Sequence, residues 1–295
     1  MTTYLNHRRD RFNLAGGRQQ AFPIQEKPSS CIRYPVNTYT NVTPSATANT
    51  KGAYSEFCSS TPEDSIINTL SFTTYGTTWS NYLVDIALGA SGSESIIVEN
   101  LFFSNIDSLW PLEDVHIPIF VPKGSRISVR AQSSGTSRNL YNGSIDLEFG
   151  GSRFYTNNYF TKVITLGAAY AGATDLTAID PGSSANTYGA WYEFSSNLPF
   201  DCKGVLLMVS TLLNTSRTND TNWFVQVGVG ASGNEQPIID DSGLYWKVET
   251  KFILPFYRFY HISIPKGSRV AIRCRSNVTG HPARLTSLGL YCFGM

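Results

Sequence analysis

The chain has 295 residues, a formal net charge of +1, and only 15% of its residues are Asp, Glu, Lys or Arg. So small and balanced a charge argues against a nucleic-acid or membrane-surface binder, which would carry a basic face. The longest apolar run, 205–213, is too short to span a bilayer, and the opening MTTYLNHRRD lacks the apolar stretch of a secretory signal, so the expectation is a chain made in the cytoplasm and not inserted in a membrane.

Residues 1–30 stand apart. Arg8, Arg9, Arg11 and Arg18 face only Asp10 in the first twenty positions, and Gly16-Gly17 with two prolines breaks any regular element. This segment reads either as a free tail or as an arm that orders against a neighbouring subunit.

From 31 to 151 the apolar residues recur with period two, the mark of half-buried strands. In NYLVDIALG, Tyr82, Val84, Ile86 and Leu88 share a face and Asp85 takes the other. Ile127, Val129 and Ala131 alternate with Ser128, Arg130 and Gln132, and Ile145, Leu147 and Phe149 alternate with Asp146 and Glu148. The best helical candidate, SLWPLEDV, is limited to a turn by Pro111. The stretch 152–184 is rich in Gly, Ala and Thr, yet too apolar for a free linker; KVITLG within it reads as a strand opening the second half, and the two halves are expected to touch.

The second half repeats the first. NTKGAYSEF at 49–57 returns as NTYGAWYEF at 186–194, with six of nine positions identical. GASGSE at 89–94 returns as GASGNE at 230–235, VPKGSRISVR at 121–130 returns as IPKGSRVAIR at 264–273, and SIDLEFGG at 144–151 returns as SLGLYCFG at 287–294. The order is kept and the spacing drifts only from 137 to 143 residues, so the chain is an internal duplication. Short alternating strands with Gly and Pro turns predict an all-β chain: an N-terminal arm at 1–30, then two related antiparallel β-sandwich domains, jelly-roll-like, at 31–151 and 152–295.

The repeated phrases read as structure rather than chemistry. PKGSR is a tight turn that leaves Arg126 and Arg269 at the head of the next strand, either solvated or meeting Glu56 and Glu193 in a salt bridge. GASGxE reads as a flexible loop; no helix start follows it, so a phosphate cradle is not expected. His7, His116, His261 and His281 have no metal-ligand neighbours at useful spacing, and there is no G-x-S-x-G elbow. The acidic pairs Glu113-Asp114 and Asp240-Asp241 read as solvated loops; a glycosidase dyad is the alternative. The five cysteines include no CxxC pair, and Cys274 and Cys292 read as small buried hydrophobes. No catalytic residue, metal or cofactor is expected. Of the many aromatics, Tyr257, Phe259 and Tyr260 are the candidates to reach a surface that takes a partner or a glycan.

ANTKGAYSEF at 48–57 with VPKGSRISVR at 121–130, and ANTYGAWYEF at 185–194 with IPKGSRVAIR at 264–273, resemble a domain of structural proteins from tailed bacteriophages and prophages. The GASGxE loop between them also fits, and Tyr54 stands where that family often has Trp. The resemblance implies a non-enzymatic component of the virion surface, in a tail, collar or capsid decoration. It further implies assembly as a homo-oligomer, a trimer or ring, with other virion proteins as partners and the arginine-bearing arm as anchor. A host-glycan-binding module is the rival, with a glycan depolymerase behind it.

Overall fold

The computed structural model describes residues 30–73, 80–105, 113–136, 138–150, 160–169, 173–209, 221–246, 256–277 and 285–295. Arg8, Arg9, Arg11 and Arg18, most of SLWPLEDV, and the side chain of Tyr257 lie outside that description.

The described chain is all β, without a helix. The first half carries β1 (Ser30–Tyr34), β2 (Thr40–Val42), β3 (Ser55–Cys58), β4 (Ser65–Thr73), β5 (Ser80–Leu88), β6 (Ser95–Asn105), β7 (Glu113–Val121), β8 (Ile127–Ser133) and β9 (Leu140–Phe149). The second carries β10 (Lys162–Leu166), β11 (Ala168–Ala169), β12 (Asp175–Ile179), β13 (Tyr192–Ser195), β14 (Cys202–Val209), β15 (Thr221–Val229), β16 (Gln236–Trp246), β17 (Phe256–Tyr260), β18 (Val270–Ser276) and β19 (Leu285–Gly294). The period-two runs are these strands: Ile127, Val129 and Ala131 of β8 are fully buried, as are Val270 and Ile272 at the matching places of β18.

Three sheets form. One is ordered β1-β9-β4-β7, with β2 also on β9; another is β13-β18-β15-β16. The third has ten strands, running β11-β12-β19-β10-β6-β5-β8-β3, with β14 on β19 and β17 on β14. The pairing scheme is written twice. β3-β8-β5-β6 matches β13-β18-β15-β16, β9-β4-β7 matches β19-β14-β17, and β1 and β2 on β9 match β10 and β12 on β19. Loop contacts repeat as well. Asp64 accepts from the Lys123 amide at 2.7 Å and Asp201 from the Lys266 amide at 2.8 Å; Gly124 and Gly267 donate to Thr61 and Leu198 carbonyls, both at 2.8 Å.

The halves do more than touch. β10 pairs antiparallel with β19 on one side and parallel with β6 on the other, so one sheet crosses from half to half. Just before it, the Phe160 carbonyl accepts from the Phe120 amide at 2.8 Å, on β7. The first-half core takes in Leu206, Met208, Tyr291 and Phe293 from β14 and β19. A second core of Val205, Leu207, Trp223, Val225, Ile272 and their neighbours fills the other half. β19 therefore serves both, with Leu290 and Cys292 turned to the second core and Tyr291 and Phe293 to the first. Alternation on a strand covered on both faces makes this possible.

Gly52 and Gly189, the shared glycine of the NT-G-A-EF phrase, sit where two backbones meet. A Cβ on Gly52 would run into the Thr43 carbonyl oxygen, with Pro44 backbone at 3.0 Å; one on Gly189 would meet the Asp180 carbonyl oxygen, with Pro181 backbone at 2.9 Å. Main chain cannot swing aside as a side chain can. Gly52→Ala and Gly189→Ala should each cost about 3 kcal/mol, at the upper end of overpacking penalties, read as a lowered urea midpoint at unchanged slope. A loss below about 0.5 kcal/mol would show that the strands part freely there.

Candidate functional site

The three repeated phrases converge on one point in each half. The PKGSR turn delivers Arg126 to the head of β8, the NT-G-A-EF phrase places Glu56 on the neighbouring strand β3, and the β5–β6 loop brings in Glu94. Arg126 Nε meets Glu56 Oε2 at 2.7 Å, its Nη1 meets Glu94 Oε1 at 3.2 Å, and Nη1 also donates to the Gly89 carbonyl at 3.2 Å. In the second half Arg269 Nε meets Glu193 at 2.6 Å, Nη1 meets Glu235 at 2.7 Å, and Nη1 donates to the Gly230 carbonyl at 3.2 Å. Of the two sequence readings of these arginines, the geometry is the ion pair, and each arginine is shared by two carboxylates. Glu94 and Glu235 are the partners that the sequence left unmatched; their signal was the E that closes both GASGxE phrases.

These clasps pin the loops. Glu94 also accepts from the Gly92 amide at 2.9 Å and Glu235 from the Gly233 amide at 3.0 Å, so GASGxE is a fastened turn and not the flexible loop its glycines suggest. The Glu94 carboxyl is held below its ordinary value by its own backbone amide, against the opposing effect of burial, with help from Arg126 and the Gly92 amide. For Glu235 burial pushes upward, and its own amide, Arg269 and the Gly233 amide together outweigh it, so the net direction is again down.

A folded-state value below the unfolded one means that stability is complete above about 4.5, the ordinary value, and drains away as pH falls through the folded value. Stability measured from pH 6 downward should drop below about pH 4.5, and the drop should shrink in an Arg126→Met, Arg269→Met chain. Equal acid slopes in both proteins would remove the clasps from the account.

Beside each clasp, on the outer face of the sheet, the halves diverge. In the first half Asp85 is 1% exposed although its strand position points away from the core. It receives Lys51 Nζ at 2.8 Å, Arg130 Nε at 2.9 Å and the Asn100 amide at 2.9 Å. Arg130 also lies over the Tyr54 ring at 4.7 Å. Burial lowers the Lys51 ammonium, opposed by Asp85, and raises the nearby Glu99, reinforced by the Asp85 charge. Gln132, also outward in the alternation, is buried because its amide donates to the Ala173 carbonyl at 3.0 Å and to Thr174 at 2.9 Å, in the segment leading to β12.

The second half replaces this charged cluster with stacked guanidiniums. Gln226 stands in place of Asp85 and Tyr188 in place of Lys51. Arg273 lies 4.4 Å from the Trp191 ring and 4.6 Å from Tyr188, while Arg275 lies 5.2 Å from Tyr188 and 4.6 Å from Phe224. Arg273 donates to Gln226 at 2.7 Å, Arg275 pairs with Asp241 at 2.9 Å, and Gln226 and Tyr188 reach Asp240 and Asp241. Cations over ring faces are favourable where partly desolvated. The rings are half-buried and their faces are occupied by Arg.

Several expectations are corrected here. Phe259 is half-buried rather than free at the surface: its ring sits 5.4 Å from Phe293 and 6.1 Å from Phe160, against the shared core. Tyr260 is half-buried against the second core, its hydroxyl donating to Ser242 at 2.7 Å. Asp240-Asp241 is not a loop but part of β16, and Glu113-Asp114 begins β7. Aromatic density alone suggested a surface role, and β17 packs on both faces, with Phe259 against the first-half core and Tyr260 against the second.

Cys58, Cys202, Cys274 and Cys292 are buried free thiols, Cys31 is an exposed one, and burial pushes the Cys274 thiol up. Among the described residues no group of three or more His, Cys, Asp or Glu is placed to hold a metal, and no helix is long and apolar enough to cross a membrane. Neither family models nor curated proteins give a match to the chain.

Proposed function

We propose that the chain is a non-enzymatic structural protein of the tailed-bacteriophage virion surface, built from two tandem jelly-roll-like β-sandwich domains, that assembles with copies of itself on the particle. The observation that carries this reading is the use to which the repeated phrases are put. Their charged residues are consumed in clasps that tie two loops and a strand together within each half, and the phrases are those that resemble phage structural domains. Support for the domain architecture comes from the strand orders β1-β9-β4-β7 and β3-β8-β5-β6 and their repetition in the second half, the order of a doubly wound antiparallel sandwich. The arm at 1–30, with Arg8, Arg9, Arg11 and Arg18, is the proposed anchor to the particle.

Antibody-labelled electron microscopy of intact particles tests this directly. Label on the tail, collar or head supports the reading and locates it; particles that never carry label overturn it. A host-glycan-binding role is favoured by one observation, the Tyr188, Trp191 and Phe224 rings gathered on one sheet face, and weakened by the guanidiniums already on those rings. Incubation with host polysaccharide separates the alternatives: saturable binding supports the glycan module, and released oligosaccharide the depolymerase.

A further inference from the structure

Inside the chain, the first strand of the second half has partners on both edges. β10 lies antiparallel to β19 and parallel to β6, with Val163 against Val98 and Ile164 against Glu99. The same construction is left unfinished elsewhere. Among the described residues, β1, the counterpart of β10, pairs with β9 and ends its sheet; β16, the counterpart of β6, pairs with β15 and ends its own. Ile32 faces Leu147 as Ile164 faces Cys292, and Leu147 and Cys292 occupy the same place in the last strand of each half, 145 residues apart, just as Thr40 opposite Gly143 matches Thr177 opposite Leu288. Glu99 and Asp240 are equivalent in the same way, 141 residues apart. The molecule thus displays both halves of a contact that it already makes internally.

The surface beside β1 is apolar. Among the described residues the exposed large hydrophobics are Ile32, Val36 and Tyr39, within eight residues of one another, and Met295. Ile32, Val36 and Tyr39 line one hollow of about 510 Å³ with Arg33 at its side. An open strand edge next to apolar surface is a feature that free-standing proteins blunt or cover. β16 is guarded: Pro237 has no N–H to give and Asp240 is exposed and charged, so a strand in arbitrary register is refused. In the register copied from β10 and β6, Ile32 falls opposite Asp240, beyond the proline.

We propose that β1 of one molecule adds to β16 of a second copy of this chain, in parallel, repeating the β10–β6 pairing between molecules. This deepens, and rests on, the self-assembling reading above. The contact is heterologous: one molecule gives β1, the other β16, and successive copies join head to tail. Such a series closes into a ring when its rotation closes and otherwise extends. The apolar hollow beside β1 is covered in the process.

The test uses full-length chains that all carry Cys31→Ser. One bears Ile32→Cys, the other Asp240→Cys; the remaining cysteines among the described residues are buried. Each is oxidised mildly alone and in an equal mixture, and the unaltered protein is sedimented over a wide concentration range. Disulfide-linked dimers in the mixture but in neither protein alone, together with concentration-dependent assembly, are the expected result. Linkage of Ile32→Cys to itself overturns the proposal in favour of a symmetric β1–β1 contact. Assembly without linkage in the mixture overturns the contact and leaves self-assembly standing. Monomers at every concentration overturn it too, and particle labelling then judges the virion reading on its own. Folding of each variant is checked by its unfolding midpoint, since both positions are exposed.

Discussion

Replacing Asp85 with alanine should lower the unfolding free energy by about 3–5 kcal/mol, the range found when one member of a buried ion pair is removed. Asp85 is almost wholly buried and takes three donors: Lys51, Arg130 and the Asn100 amide. Its loss strands two cations where water reaches them poorly. The Lys51 ammonium, already lowered by burial, loses the carboxylate that opposes that shift. The second half shows a neutral solution to the same site, with Gln226 under Arg273 and the Tyr188 ring in the place of Lys51. Transplanting it as Asp85→Gln with Lys51→Tyr should recover most of the stability that Asp85→Gln alone loses. Chemical denaturation of the four proteins of this cycle measures the coupling. Additive losses would mean that Lys51 and Asp85 do not act as a unit.

Phe293→Ala should cost a similar amount, about 3–5 kcal/mol for a large aromatic removed from a packed core, and should do something that a core substitution within one half would not. Phe293 belongs by sequence to the last strand of the second half, yet its fully buried ring packs in the first-half core, 4.9 Å from Phe160 and 5.4 Å from Phe259. Next to it, Tyr291 crosses the same boundary: its hydroxyl accepts from the Phe102 amide at 3.2 Å and lies 3.0 Å from the Met208 sulfur. With one sheet and one core shared, the halves should unfold in a single calorimetric transition. Phe293→Ala should split that transition in two. A wild-type protein that already melts in two steps would refute the coupling; a variant that melts lower but in one step would assign it to β10 and the sheet instead.

The strands were legible because their signal is local. Period-two alternation in 127–131 and its copy in 270–272 needs only neighbours in sequence, and burial follows it closely. The ion clasps were half legible. Arg126 with Glu56, and Arg269 with Glu193, could be offered as pairs because both members recur in the repeats. Glu94 and Glu235 recur as well, but a glycine-rich context made their loop look free rather than fastened. Asp85 and Gln132 were read as outward-facing, and they do face outward. What buries them is a second layer of contacts from Lys51, Arg130, Ala173 and Thr174, distant along the chain. Phe259 and Tyr260 keep only part of their surface for the same reason, since aromatic density says nothing about how far each face of a strand is covered.

By itself, the sequence determined that this protein is all β and written in duplicate, since repetition and alternation are carried by the order of residues alone. It also determined where the turns fall, because Pro, Gly and Asn impose their backbone preferences locally. Only the tertiary structure decided that the two halves share a ten-stranded sheet and a core, and that β10 is paired on both edges while β1 and β16 each have one strand partner among the described residues. Those are statements about which surfaces meet. Backbone hydrogen bonding between strands uses the same N–H and C=O groups whatever the side chains, so no residue pattern announces its partner.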